Sequence, residues 1–137
     1  MKIVHLVLVA TMSLTLATAC QNKKGPNASN ALKTVHFDFD SATIRSDMAK
    51  ILDGNAGYLK KHAQLKVLLE GNCDERGTNE YNLALGERRA TTAKSYLTGK
   101  GISGSRLKTI SYGEERPVAK GHNEAAWYQN RRVDFGK

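Results

Sequence analysis

Hydrophobic and polar positions alternate through TVHFDFD at residues 34–40, with Val35, Phe37 and Phe39 on one face and His36, Asp38 and Asp40 on the other. A period of two marks a half-buried strand. The period then lengthens. Ile44, Met48, Ile51, Leu52, Ala56 and Leu59 recur at three- and four-residue steps, which predicts an amphipathic helix. Ser46 or Asp47 can cap its start, and Lys60, Lys61 and His62 suit the negative end of its dipole. QLKVLLEGN at 64–72 reads as a second strand. A second helix follows in TNEYNLALGERRATTAKSYLTGKG, capped by Thr78 or Asn79, with Leu83, Ala90, Ala93 and Leu97 as its apolar stripe and Gly99 and Gly101 at its end. RLKTISYG (106–113) is a third strand, EERPVAKGHN a loop, EAAWYQNR a short helix and RRVDFG a last strand. Strands alternating with helices indicate an α/β sandwich, a mixed four-stranded sheet carrying helices on one face.

The first twenty residues follow neither period. MKIVHLVLVATMSLTLATAC has a charged start, an apolar middle from Ile3 to Leu16 and a small-residue zone before Cys20. That is the layout of a secretory signal over residues 1–19, with an apolar run shorter than the roughly 20 residues of a membrane span. Cleavage before a cysteine resembles the bacterial lipobox, with Ala17 standing where Leu, Val or Ile is usual. The expected product carries acyl chains on Cys20, and two or more chains make a stable anchor. An ordinary signal peptide cut after Ala19 is the alternative. Gln21 instead of Asp after the cysteine points to the outer membrane. Residues 21–32, QNKKGPNASNAL, are polar and aperiodic and read as a flexible tether, reaching at most about 40 Å. The folded domain is then 33–137.

The charge of +8 favours anionic surroundings, and with an export signal these are cell-wall polymer and lipid, not nucleic acid. Basic residues are dispersed, and the five tyrosines fall in separate elements, without the stacking pattern of a nucleic-acid surface. Two cysteines, one of them Cys20, exclude a disulfide scaffold and leave Cys73 as a small residue against the sheet or as a reactive thiol. The four histidines show no metal spacing. DFDSATIRSDMA has Thr43 and Ala49 where a calcium loop needs Gly and Glu. No nucleophile elbow or phosphate loop occurs, so neither an enzyme nor a cofactor is expected.

The densest chemistry lies in GNCDERGTNEYNLALGERRA, residues 71–90. Asp74 follows a strand, and Arg89 sits fifteen residues later on the next helix. Such residues can converge on one groove. A carboxylate and a guanidinium held there match a zwitterion, whose ammonium faces Asp74 and whose carboxylate pairs with the planar fork of Arg89. An internal Asp74–Arg89 ion pair, or solvated surface charge, fits the same spacing. Arg88 cannot face the same way as Arg89.

EGNCDERGTNEYNLALGERRA, followed by YLTGKGI, ISYGEERPV and NEAAWYQNRRV, resembles the OmpA-like C-terminal domain family in its lipid-anchored, peptidoglycan-associated members, from residue 34 to 135. The resemblance implies a βαβαβ(α)β domain. It also implies an outer-membrane lipoprotein that faces the periplasm, binds peptidoglycan without covalent attachment and contacts TolB and other Tol proteins, with roles in envelope integrity and cell division. The wall ligand implied is the diaminopimelate of the stem peptide, itself a zwitterion. By motif, Asp74 and Arg89 are its charge partners, with Leu85 and Ala90 in register with Arg89. Phe39, Asp40 and Ser41 line the groove, and Asn72 contributes polarity. Asn130 and Arg131 belong to the N-R-R motif, with architectural roles and possible ligand contact. Asn72-Cys73 departs from the His-Thr or His-Ala of many relatives. A wall-anchoring module of another envelope machine, such as a motor stator or secretion apparatus, is the competing reading.

Overall fold

The computed structural model describes residues 31–137, so the signal, Cys20 and most of the tether lie outside the described residues. Four strands and three helices follow in chain order: β1 (Val35–His36), α1 (Ser46–Lys61), β2 (Val67–Asn72), α2 (Asn79–Gly99), β3 (Leu107–Gly113), α3 (Glu124–Asn130) and β4 (Arg132–Gly136), with a 3-10 turn at Gly104–Arg106. The sheet order is β1-β4-β2-β3. β4 runs antiparallel to both β1 and β2, and β2 pairs in parallel with β3. The mixed four-stranded sheet is therefore as expected. Among the described residues no helix is long and apolar enough to cross a membrane.

Apolar periodicity accounts for most of the core. Met48, Leu52, Ala56 and Leu59 of α1 and Ala90, Ala93 and Leu97 of α2 pack against Val35, Phe37, Val67, Leu69, Leu107, Val133 and Phe135. Arg106 closes the far end of α1. Its guanidinium donates to the carbonyls of Leu59, His62 and Leu65 at 2.8–2.9 Å, placing a cation at the helix's negative pole.

Four departures from the sequence pattern bear on the site. β1 ends at His36 instead of continuing to Asp40, because Asp38–Ser41 forms a turn closed by Ser41 N–H to Asp38 C=O. Asp40 takes φ 51 there, a left-handed conformation that aspartate tolerates better than most residues. The turn carries Phe39 off the buried face and leaves it 57% exposed. On α2, Leu83 is 46% exposed, and the buried face carries Asn82, Leu85, Gly86 and Arg89 instead. Polar residues occupying the inner stripe shifted the apparent apolar face by one position. Arg45 holds the cap position of α1 without a side-chain cap bond, so neither Ser46 nor Asp47 serves, whereas Thr78 Oγ1 caps α2 by accepting from Tyr81 N–H. Finally, β2 starts at Val67, not residue 64.

Candidate functional site

β1 and β2 both point their carboxyl ends toward the amino end of α2, and the loops leaving them meet there. Three features fix this junction. Asn82, in the first turn of α2, donates from its amide to the carbonyls of Asp74 and Arg76, tying the 74–76 loop down. Gly77 turns the chain at φ 103, where a side chain would be strained. Asn130 Oδ1 accepts from Val118 and Ala119 N–H while its amide donates to Ala119 C=O, stapling the loop before α3.

Between these loops lies a groove of about 180 Å³, lined by Phe39, Asp40, Asp74, Arg76, Leu85 and Arg89 together with Cys73, Gly77, Tyr81 and Asn82. Five sequence-predicted residues, Phe39, Asp40, Asp74, Leu85 and Arg89, thus converge. Ser41, Asn72 and Arg131 lie outside the lining and back it. Ser41 and Asn72 each offer a backbone carbonyl to Arg89. Arg131 stands behind Asp74 and donates to it at 3.3 Å, to Glu124, and to Phe37 C=O at 2.9 Å.

Asp74 and Arg89 do not pair with each other. Arg89 is fully buried, and its Nε, Nη1 and Nη2 donate to the carbonyls of Ser41, Asn72 and Asp38 at 2.8, 3.0 and 3.0 Å. A weaker contact at 3.5 Å joins Nη1 to Cys73 Sγ. No carboxylate forms an ion pair with Arg89 among the described residues. Burial pulls its pKa below the ordinary value, with the Arg131 charge acting the same way and the Asp74 and Asp40 carboxylates opposing, and an arginine remains protonated regardless. With four of its five N–H groups engaged, it offers one N–H instead of a two-pronged fork.

Asp74 is 4% exposed and heavily served. Oδ1 accepts from Arg76 N–H and Nε, and Oδ2 from Arg76 Nη2 and Arg131 Nη1. Burial alone would raise its pKa, but the Arg76 and Arg131 bonds outweigh burial and hold the carboxyl below the usual aspartate range. It is ionised throughout the neutral range.

Arg76 is the residue the sequence pattern passed over. Its guanidinium is clamped between two rings, 3.9 Å from the centroid of Phe39 and 4.0 Å from that of Trp127. The DER spacing held a clue, since an aspartate often accepts from the backbone N–H two residues on. Tyr81 was missed as well; its hydroxyl donates to Asp40. Cys73 is a buried small residue whose thiol donates to Asn82 C=O, and burial pushes its pKa up to about 11, which leaves little thiolate at neutral pH. Arg88 is exposed and turned toward the Tyr81 ring.

The groove can bind a small ligand carrying both signs of charge. The comparisons with known proteins agree with this architecture. The sequence profile of the OmpA family matches residues 36–131. The peptidoglycan-associated lipoprotein of Haemophilus influenzae is 54% identical over 100 residues, 73% of this chain, and the chain spans just 65% of that protein's length. The protein of the same name from Pasteurella multocida is 41% identical over 144 residues and 96% of either chain. The crystal structure of the peptidoglycan-associated lipoprotein from Burkholderia pseudomallei superposes with a TM-score of 0.75 at 45% identity, covering 82% of this chain and 96% of that one. The chain belongs to the OmpA family and, within it, to the peptidoglycan-associated lipoproteins.

Proposed function

We propose that this protein ties the outer membrane to the cell wall. Residues 1–19 are its lipoprotein signal, Cys20 carries the acyl chains, residues 21–32 are the tether, and 33–137 bind peptidoglycan without turnover. In this reading it works within a Tol-Pal system, contacting TolB, and supports envelope integrity and cell division. The names of its relatives support the association with peptidoglycan.

One observation carries the ligand assignment: a buried guanidinium that no carboxylate among the described residues pairs with, beside an ionised aspartate, in one groove. The free end of diaminopimelate bears an amine and a carboxylate on one carbon. Its carboxylate is drawn to Arg89 and its ammonium to Asp74. Because Asp74 already holds Arg76, the ligand's ammonium takes the place of that side chain, which is half-exposed and can swing out. A second reading comes from the same geometry. Arg76, stacked and accessible, takes the ligand carboxylate itself, and Arg89 only braces the loops.

Co-sedimentation of residues 21–137 with intact sacculi separates these. Asp74→Asn should weaken binding by about tenfold to a hundredfold, the cost of one charged hydrogen bond. Arg76→Ala should bind as well as wild type or better. Muropeptides with diaminopimelate should compete, and those with lysine should not. Equal pelleting of wild type and Asp74→Asn rejects the assignment. Loss of binding in Arg76→Ala, with the fold intact, transfers the carboxylate to Arg76.

A further inference from the structure

The charges of this domain are segregated along the sheet. β1 and β2 both run toward the groove, since each is antiparallel to β4. The opposite end of the sheet therefore gathers the start of β1, the starts of β2 and β3, the ends of α1 and α2, and the end of β4. β2 separates the two ends by six residues, about 20 Å.

That far end is almost free of acid. No Asp or Glu occurs between Gly54 and Leu69, nor between Arg88 and Gly113. Two depressions reach it. One, of about 480 Å³, runs along α1 from Ile51 in its second turn to Tyr58, with Lys61 and Lys33 at this end; the other, of about 290 Å³, is lined by Lys66, Lys108 and Lys137. All five lysines are exposed, and none joins an ion pair among the described residues. Gly54 and Gly57 have nothing within 4 Å of an added Cβ, so the α1 side of the larger depression is open.

We propose that this cationic end is a docking face for the surface of an anionic phospholipid bilayer. Three observations commit it to that occupant. The unpaired charge is of one sign and shared by five exposed lysines from separate elements, which suits an array of phosphates rather than a single ligand. Each exposed lysine is a compact, freely rotating ammonium that meets headgroups without fixed geometry. The chain also enters here: Ala31 and Lys33 line the larger depression, and residues 21–31 span at most about 40 Å. The proposed anchor at Cys20 therefore joins the domain at this end. The orientation rests on the lipoprotein reading; the charge does not. The domain thus has one pole for lipid and, on the proposed function, the other for wall.

The core closes between Leu32 and Phe135, so residues 21–137 keep every core residue. This chain, without acyl groups, is sedimented with phosphatidylglycerol vesicles and with phosphatidylcholine vesicles at low salt. It should pellet with the anionic vesicles only, and less as salt rises. Lys61→Glu with Lys66→Glu should weaken that binding roughly 25-fold or more, at about fivefold per lysine near an anionic surface. Arg88→Glu with Lys120→Glu makes the same change in net charge away from this end and should bind like wild type. Thermal melts confirm that both double variants fold. The proposal is overturned if neither vesicle is bound, if both vesicles are bound alike, or if the two double variants lose binding equally. It is also overturned if the Lys61/Lys66 variant loses sacculi and keeps vesicles, for then this end faces the wall. Failure of the Asp74 assignment leaves these outcomes untouched.

Discussion

Arg89→Ala is expected to cost the fold about 3–5 kcal/mol. The substitution removes a guanidinium donor from three backbone carbonyls at once, of which Asp38 C=O keeps Ser41 N–H, and each buried acceptor left unsatisfied costs about 1–3 kcal/mol. It also leaves a cavity where the longest fully buried side chain stood, which adds to the loss because the surroundings relax only in part. Those carbonyls belong to the turn after β1 and the end of β2, so the groove loosens before the sheet does. Arg89→Lys keeps the charge but cannot serve three acceptors in one plane, and should fall between. Urea unfolding followed by circular dichroism measures both. An unfolding free energy for Arg89→Ala within about 1 kcal/mol of wild type would show that the guanidinium is not structural. Loss of wall binding in Arg89→Ala is thus no evidence of ligand contact unless the variant is shown to be folded.

Gly71→Ala should be as damaging, through contact between backbones instead of lost bonds. A Cβ on Gly71 would lie 1.9 Å from the carbonyl oxygen of Gly86 and 2.6 Å from its carbonyl carbon. Neither side can yield. Gly71 is paired on both flanks, to Ser111 and to Val133, and Gly86 is in the interior of α2. Overpacking usually costs about 1–3 kcal/mol, and a rigid clash of this depth belongs at or above the top of that range. For a domain of this size the melting temperature should drop by roughly 10 °C or more. Gly54→Ala is the matched control. It lies in α1 with open space around it, and alanine there should stabilise by up to about 1 kcal/mol. Equal melting temperatures for Gly71→Ala and wild type would mean that α2 and β2 do not approach this closely.

These two sites show where sequence reading works and where it fails. The apolar stripe of α1 and the strand cores were legible because burial there is apolar, and apolar periodicity is the signal. The groove side of α2 was not, since Asn82 and Arg89 are inside and Leu83 is outside. A buried arginine satisfied by carbonyls looks, in sequence, like any surface arginine. The turn at Asp38–Ser41 was hidden for a related reason: Phe39 keeps the alternating pattern of β1 while the backbone leaves the sheet. Arg131 was invisible as a partner of Asp74 because it comes from the far end of the chain, whereas Arg76 lies two residues away. Placement after a strand and on the next helix suggested Asp74 and Arg89 as a couple and the resemblance added the ligand; the structure seats both in the lining of one groove while giving each different neighbours.

Trp127, the single tryptophan of the chain, stacks on Arg76 and donates its indole N–H to Glu75. On the proposed assignment, its emission senses the side chain that the ligand's ammonium displaces from Asp74. A cation lifted from the indole face, and a changed hydrogen bond at its edge, alter both intensity and wavelength. The domain would then carry its own optical readout of groove occupancy, and titration would need no label.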